Sequence, residues 1–377
     1  MSDAPYSYEA RLKRKITQLR WDKFHLDPWL LLGLLALSII GLFILYSASN
    51  GNAATVEKQA ARLGIAFLLM CLFAQIPTQY FKRWAPWLYG IGFALLLAVL
   101  VVGKTDLGAK RWLSLGLFRF QPSEIMMLAM PMMVAWYLHE KPLPPGNMNV
   151  LIAGVLILVP TLLITKEPDL GTGIMVAGAG FFVLLLSGIR WKLLGILTGL
   201  LALCSPLIWH FMHAYQKDRV LTFLNPEREP LGSGYHIIQS KIAIGSGGFF
   251  GKGFMQGTQS HLSFLPAHTT DFIFAVSGEE LGFFGCLVIL LLFLGIFARC
   301  FYISLHAQDN FTRLLSGGLS FIFIFSTFIN LGMVVGILPV VGVPLPLISY
   351  GGSAMITMMI NFGIIMSIQT HRRLWSS

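Results

Sequence analysis

The chain has 377 residues, of which 55% are hydrophobic and 12% charged, with a formal net charge of +10 and a mean hydropathy of +0.72. A soluble domain carries about a quarter charged residues, so this composition excludes a water-soluble globular protein and marks a polytopic membrane protein. The basic excess reads as a topology signal with some contact to anionic lipid, and because it divides between two faces of a membrane, no nucleic-acid partner is expected.

Residues 1–28 form a hydrophilic tail carrying Arg11, Lys13, Arg14, Lys15, Arg20 and Lys23. A membrane helix needs about 20 apolar residues. Ten predicted spans follow, over about 29–48, 59–76, 86–103, 122–139, 148–165, 171–187, 191–210, 271–297, 310–335 and 346–370. The predicted fold class is therefore an all-α polytopic membrane protein. It has one membrane domain over 29–370, a large extracytoplasmic loop at 211–270 between helices 7 and 8, and a short tail at 371–377. Trp29, Trp84, Trp87, Trp112, Trp136, Trp191, Trp209 and Trp375 fall near predicted ends, as an aromatic belt places them.

Short loops rich in Lys and Arg face the cytoplasm. Lys82–Arg83, Lys141, Arg190 with Lys192, Arg299 with Arg313, and Arg372–Arg373 fall in alternate loops, which puts both termini inside and the 211–271 loop outside. The segment 104–121 breaks the pattern: it is expected outside yet carries Lys104, Lys110, Arg111 and Arg119. Basic residues held outside point to an anionic partner there. Cys71, Cys204, Cys286 and Cys300 have no metal spacing and read as packing residues.

Two regions break helical regularity: the glycine-rich 231–257, and 336–353 with Pro339, Pro344 and Pro346. Such backbone at membrane depth survives only when buried in protein or lining a wet cavity, and both are predicted to wall a cavity open to the outside. Gly251-Lys252 lacks the spacing of a nucleotide phosphate loop, though its backbone amides remain a candidate anion cradle. His261 with His268 and His210 with His213 read as interfacial or hydrogen-bonded histidines, not metal ligands.

Asp271 stands where hydrophobic sequence resumes, and an acid at the lip of a bilayer segment is a functional-site candidate. Glu279-Glu280 lies about two helical turns on, roughly 12 Å along the axis, too far for paired carboxylates on one sugar carbon. Asp271 thus reads as a carboxylate acting alone, as a single general base does, and Glu279-Glu280 as a structural or water-facing pair. Glu124, in the first turn after QPS, suits a helix dipole, and Asp169 in KEPDLGTG shares that ambiguity between cap and site. Lys110, Arg111, Arg119 and Lys241, taken together on the outward side, fit phosphate binding.

QPSE at 121–124, EPDLGTG at 167–173, GYHIIQSKIAIGSGG at 234–248, TDFIFAV at 270–276, EELG at 279–282 and GILPVVGVPLPLISYGGS at 336–353 together resemble the SEDS family (shape, elongation, division and sporulation proteins) over essentially all ten spans. HLDP at 25–28 and the loop sequence are more similar to the elongation member than to the division member. The resemblance implies a peptidoglycan glycosyltransferase that polymerises lipid II at the outer face of the cytoplasmic membrane. It implies partnership with a class B penicillin-binding protein transpeptidase and other elongation-complex membrane proteins. By motif position it implies Asp271 as the essential acid and Arg111, Glu124, Asp169 and Lys241 as substrate-binding residues, to which Lys110 and Ser349 are added as candidates, and it implies a divalent cation (Mg²⁺ or Mn²⁺) that Asp271 would help hold. One departure stands out: Ala267 and Thr269 replace the family's usual Glu and His, and His268 is displaced by one.

The expected chemistry is attack of a sugar hydroxyl on a lipid-pyrophosphate donor. Asp271 takes the proton, Arg111 and Lys241 face the pyrophosphate, and inversion is the outcome. A flippase of lipid-linked substrate is the rival, but it needs charges along a path across the midplane, whereas here they cluster at one end. A division-type polymerase and an idle membrane scaffold are the remaining alternatives.

Overall fold

The computed structural model describes residues 25–371 apart from 107–108, 116–117, 168, 213, 229–232 and 262–266; the basic tail residues from Arg11 to Lys23 and Arg372–Arg373 lie outside these. The helices are α1 (Pro28–Ala48), α2 (Ala53–Ala74), α3 (Thr78–Val102), α4 (Pro122–Leu138), α5 (Asn147–Lys166), α6 (Leu170–Leu186) and α7 (Trp191–Phe211), then α8 (Ala214–Leu224), α9 (Ser233–Ser246) and α10 (Thr258–His261), and finally α11 (Ile273–Leu305), α12 (Asn310–Val335) and α13 (Ser353–Thr370). A helix coincides with every predicted span. Among the described residues α1, α3, α5, α11, α12 and α13 are long and apolar enough to cross a membrane, and α6 and α7 are shorter apolar helices. The chain is a multi-pass membrane protein.

Local chemistry sets the helix starts. Asp27 caps α1 by accepting the Leu30 N–H at 2.9 Å, and Pro28 takes the first turn, where a missing N–H costs nothing. Asp309 and Thr312 form a reciprocal capping box on α12. Helix α12 is the central post, packed against α11, α6, α4, α13 and α9. Its buried Ser316 and Ser320 hydroxyls donate to carbonyls one turn back at 2.6 Å, so neither hydroxyl is stranded.

Three expectations need correction. The fold is not purely helical: 104–120 forms an antiparallel sheet of β1 (Lys104–Asp106), β2 (Ala109–Leu115) and β3 (Phe118–Phe120) in the order β1-β2-β3, with Trp112 opposite Lys104 and Leu113 opposite Phe120. Segments this short and alternating cannot repeat a helical apolar face, so they pair as strands. The 211–270 stretch is not one loop, because α8, a 3₁₀ turn (Pro226–Arg228), α9 and α10 occupy much of it, and α9 packs on α11 and α12. The last helix starts at Ser353, not near 346, since Pro339, Pro344 and Pro346 hold 337–352 out of helix.

Helix α11 contains a break at Gly282 (φ 65°, ψ −163°) that the glycine-rich segment mends. The Glu279 and Glu280 carbonyls, deprived of helical partners, accept the Lys252 and Gly253 N–H groups at 3.0 and 3.1 Å. In return, the Phe283 and Phe284 N–H groups donate to the Gly248 and Phe249 carbonyls at 2.9 and 3.1 Å. The fit demands glycine: a Cβ on Gly251 (φ 80°) would lie 2.0 Å from the Glu280 oxygen. These amides are therefore engaged by helix carbonyls, which removes the anion-cradle reading of Gly251-Lys252. The Lys252 ammonium pairs with Glu279 at 2.6 Å, as expected of a structural role for that acid.

Helices α1 and α11 run antiparallel in fixed register. Arg299 donates to Asp27 at one end, at 2.5 and 3.2 Å, and Ser47 donates to Glu280 at the other, at 2.6 Å. The anchors are 20 residues apart on α1 (47 − 27) and 19 on α11 (299 − 280). At 1.5 Å per residue this is about 30 Å, the thickness of a bilayer's hydrocarbon core.

Candidate functional site

Asp271 lies two residues before α11, in a turn folded by bonds from the Thr270 and Phe272 N–H groups to the Ala267 carbonyl at 3.0 and 3.2 Å. Ala267 adopts φ 51°, a left-handed conformation uncommon outside glycine. The turn is sewn to the 337–352 stretch. Ser349 donates to Thr270 O at 2.6 Å and accepts the Leu345 N–H at 2.8 Å, and the Tyr350 N–H donates to Thr269 O at 2.9 Å. The Asn330 amide of α12 donates to both Asp271 O (2.9 Å) and Val343 O (2.8 Å). A Cβ on Gly342 would stand 3.7 Å from Asp271 Oδ2, so the bare glycine keeps one face of the carboxylate open. Burial pushes the Asp271 carboxyl above its ordinary range, and the Arg219 guanidinium, from α8, opposes the shift.

A second polar cluster gathers where β2, α4 and α6 meet. Asp169 caps α6, accepting the Thr172 N–H at 3.2 Å, and its other oxygen accepts from the Gln121 amide. Glu124, in the first turn of α4, accepts from Ser353 at 2.8 Å. Glu167 is 1% exposed, and among the described residues neither carboxylate oxygen has a hydrogen-bond partner. Burial pushes its carboxyl up to about 8, with the Asp169 charge adding to the shift and Arg111 of β2 opposing it.

The 337–352 stretch touches both groups. A Cβ on Gly171, two residues after Asp169, would lie 2.8 Å from Val341 O, one residue before Gly342 at Asp271. Helix α2 steadies the same stretch: the Gln59 amide donates to Ser349 O at 3.2 Å and accepts the Gly351 N–H at 3.4 Å, and Arg62 sits 4.8 Å above the Tyr350 ring.

The profile of the FtsW/RodA/SpoVE family, described as cell cycle proteins, matches residues 28–374. The chain belongs to this family. It is 52% identical over 357 residues to the peptidoglycan glycosyltransferase MrdB of Escherichia coli (strain K12), covering 94% of this chain and 96% of that one. A solved peptidoglycan synthase complex, described as coordinating polymerization and crosslinking, contains a chain that superposes with a TM-score of 0.81 at 32% identity, covering 93% of this chain and 99% of that one. Thermus thermophilus rod shape determining protein RodA superposes with a TM-score of 0.70 at 29% identity, covering 91% and 96%.

Within this FtsW/RodA/SpoVE chain, three residues expected from separate motifs, Arg111, Glu124 and Asp169, fall in one cluster, and Ser349 holds the turn of Asp271. The cap reading of Asp169 is correct, yet its second oxygen remains engaged by the cluster. Lys241 lies elsewhere, on the exposed side of α9. Its Cε sits 2.2 Å from where a Cβ on Gly336 would stand, at the C-terminal end of α12, where a cation suits the dipole. The Lys110 backbone pairs with Thr105 in the sheet; the side chains of Lys110, Arg119 and His261, and all of His213, lie outside the described residues.

Sequence reasoning passed over Glu167, Arg219 and Asn330. Glu167 sits inside the quoted EPDLGTG motif, where its neighbour Asp169 drew the attention. Arg219 belongs to a polar helix without a motif, and an asparagine within an apolar span carries no pattern beyond its rarity.

Among the described residues no three His, Cys, Asp or Glu side chains converge as a resident metal needs. Were Mg²⁺ bound instead through one or two carboxylates plus substrate phosphates, Asp271 would be the carboxylate. It would supply one ligand, and the cation would neutralise phosphate charge.

Glu167 yields a stability prediction. A carboxyl with an ordinary value of 4.5, raised to about 8 in the fold, contributes stability that is fully present below about 4.5 and is lost as pH rises through about 8. Glu167→Gln removes that titration. Its melting temperature in detergent should exceed wild type at about pH 9, with the gap closing at about pH 5. A gap that does not change with pH would show that Glu167 is already ionised in the fold.

Proposed function

We propose that this protein is an elongation-type peptidoglycan glycosyltransferase that polymerises lipid II, with Asp271 as general base. What carries the reading is Asp271 itself: a half-buried carboxylate on a turn whose backbone carbonyls are held by Asn330, Ser349 and Tyr350, with Arg219 near, in a chain whose relatives bear that enzyme's name. The acceptor sugar hydroxyl gives its proton to Asp271 as its oxygen bonds the donor's anomeric carbon. The bond from that carbon to the pyrophosphate oxygen breaks with inversion, the outcome for a lone carboxylate, since Glu279 and Glu280 lie about two helical turns beyond Asp271. By motif position Arg111 is assigned to the departing pyrophosphate, with Lys110, Glu124 and Asp169 binding the remainder of the substrate; Lys241, at the C-terminal end of α12, stands apart from that cluster and is assigned to a separate part of the bound substrate. Membership in this family and the solved synthase complex support a class B penicillin-binding protein as partner. The ten apolar segments support ten crossings, the Lys and Arg pattern supports both termini inside and Asp271 outside, and the family supports the cytoplasmic membrane.

Purified protein with its transpeptidase partner, supplied with labelled lipid II, tests this directly: glycan strands should form. Movement of lipid II across vesicles without glycan would favour a flippase instead. The pH profile gives a sharper check. Asp271 must be ionised to accept a proton, so activity falls as pH drops through its raised pKa. Arg219→Gln removes the opposing cation, raises that pKa further and should move the acid limb to higher pH. An unmoved limb would sever Arg219 from Asp271.

A further inference from the structure

The glycine-rich segment 247–257 carries a surface that the catalytic reading does not use. Phe249 and Phe250 are 68% and 82% exposed, and Phe283 and Phe284, on the far side of the Gly282 break, are 55% and 49% exposed. The four rings form one cluster: Phe249 lies 6.2 Å from Phe283, Phe250 lies 5.3 Å from Phe284, and Phe283 lies 5.9 Å from Phe284. A patch of this kind on a soluble face would be an aggregation liability.

Its depth can be read from the α1–α11 register. Glu280 is level with Ser47, near the C-terminal end of α1, so the break lies near one boundary of the hydrocarbon core. The Phe254 ring of the same segment stands 6.1 Å from Phe43 and 6.5 Å from Tyr46, on the last turns of α1. Beyond the break, exposed Val288, Leu291 and Leu294 carry the apolar face down a helix long and apolar enough to span a membrane. Behind Phe254 lies a cavity of about 230 Å³, lined mainly by Ile40, Phe43, Ile44 and Leu281.

Irregular backbone meets hydrocarbon only when its polar groups are already satisfied. Here the Gly251 N–H donates to Gly247 O at 2.8 Å, the Lys252 and Gly253 N–H groups to helix carbonyls, and the Gln256 N–H to Gly253 O at 3.1 Å, while the Gly248 and Phe249 carbonyls accept from α11. The one ionic side chain, Lys252, is paired with Glu279. A sequence that looks like polar loop is thus prepared to contact lipid.

We infer that segment 247–257 is a lipid-embedded interfacial loop, whose Phe249–Phe250 pair, with Phe283 and Phe284, beds into phospholipid acyl chains at the leaflet boundary reached by the C-terminal end of α1. The inference rests on the membrane reading of the fold and stands whether or not Asp271 is the base.

Full-length protein carrying a benzophenone-bearing phenylalanine at position 250, reconstituted in vesicles of phosphatidylethanolamine and phosphatidylglycerol, tests it. On irradiation, phospholipid-mass adducts should form as abundantly as with the same probe at Leu158, an exposed apolar position of α5. Absence of lipid adducts at 250 while Leu158 gives them would place the loop in water and overturn the inference. Adducts to a second polypeptide would overturn it in favour of a protein interface. If the position-250 protein fails to fold, the probe at Phe284 decides by the same criteria.

Discussion

Replacing Asp271 by asparagine should lower glycan-strand synthesis by about 10²–10⁴-fold, the usual contribution of a positioned general base. The substitution keeps shape and volume, and the contacts that hold the turn do not use the carboxylate: Asn330 binds the Asp271 carbonyl, and Ser349 and Tyr350 bind those of Thr270 and Thr269. Folding should therefore survive, so the loss should fall on kcat with KM little changed. Residual synthesis should no longer fall with decreasing pH, because the titrating group is gone. Polymerisation by Asp271→Asn at the wild-type rate would remove Asp271 from the chemistry and leave the clamped turn without a purpose.

The helices are legible in the sequence because apolar length is nearly all a bilayer asks of a helix: a helix coincides with each predicted span, and among the described residues six of these are long and apolar enough to cross a membrane. Asp271 stands out for the same reason in reverse, as an acid where apolar sequence resumes. Contacts made by backbone are not legible. The sheet at 104–120 depends on pairing between segments of three to seven residues, too short for a period to emerge. The convergence of Arg111, Glu124, Glu167 and Asp169 depends on how α4 and α6 pack, which motif spacing cannot encode. Nor does any one-dimensional pattern announce that Gly251 serves a helix break 31 residues later (282 − 251). The run of glycines signals close backbone approach; the fold shows to what.

That break supplies the second large effect. Glu279 is fully buried, and its carboxylate accepts from Lys252 Nζ at 2.6 Å, the Thr258 N–H at 2.8 Å and the Gln259 N–H at 3.1 Å. One acid thus starts α10, holds the glycine-rich segment to α11 and neutralises the only charge that segment carries. Lys252→Met keeps the aliphatic stem but leaves the carboxylate buried without a counter-charge. Breaking a buried pair costs about 3–5 kcal/mol; with the lysine end partly exposed, the lower end of that range is expected. The melting temperature in detergent should fall accordingly. The double variant Lys252→Met with Glu279→Gln should recover most of the loss, because the glutamine oxygen still accepts the Thr258 and Gln259 N–H groups and no charge is left unpaired. If the double variant is as unstable as Lys252→Met alone, the lysine's packing and not its charge is what the break requires. If Lys252→Met melts with wild type, the pair carries no weight and the backbone bonds across Gly282 suffice on their own.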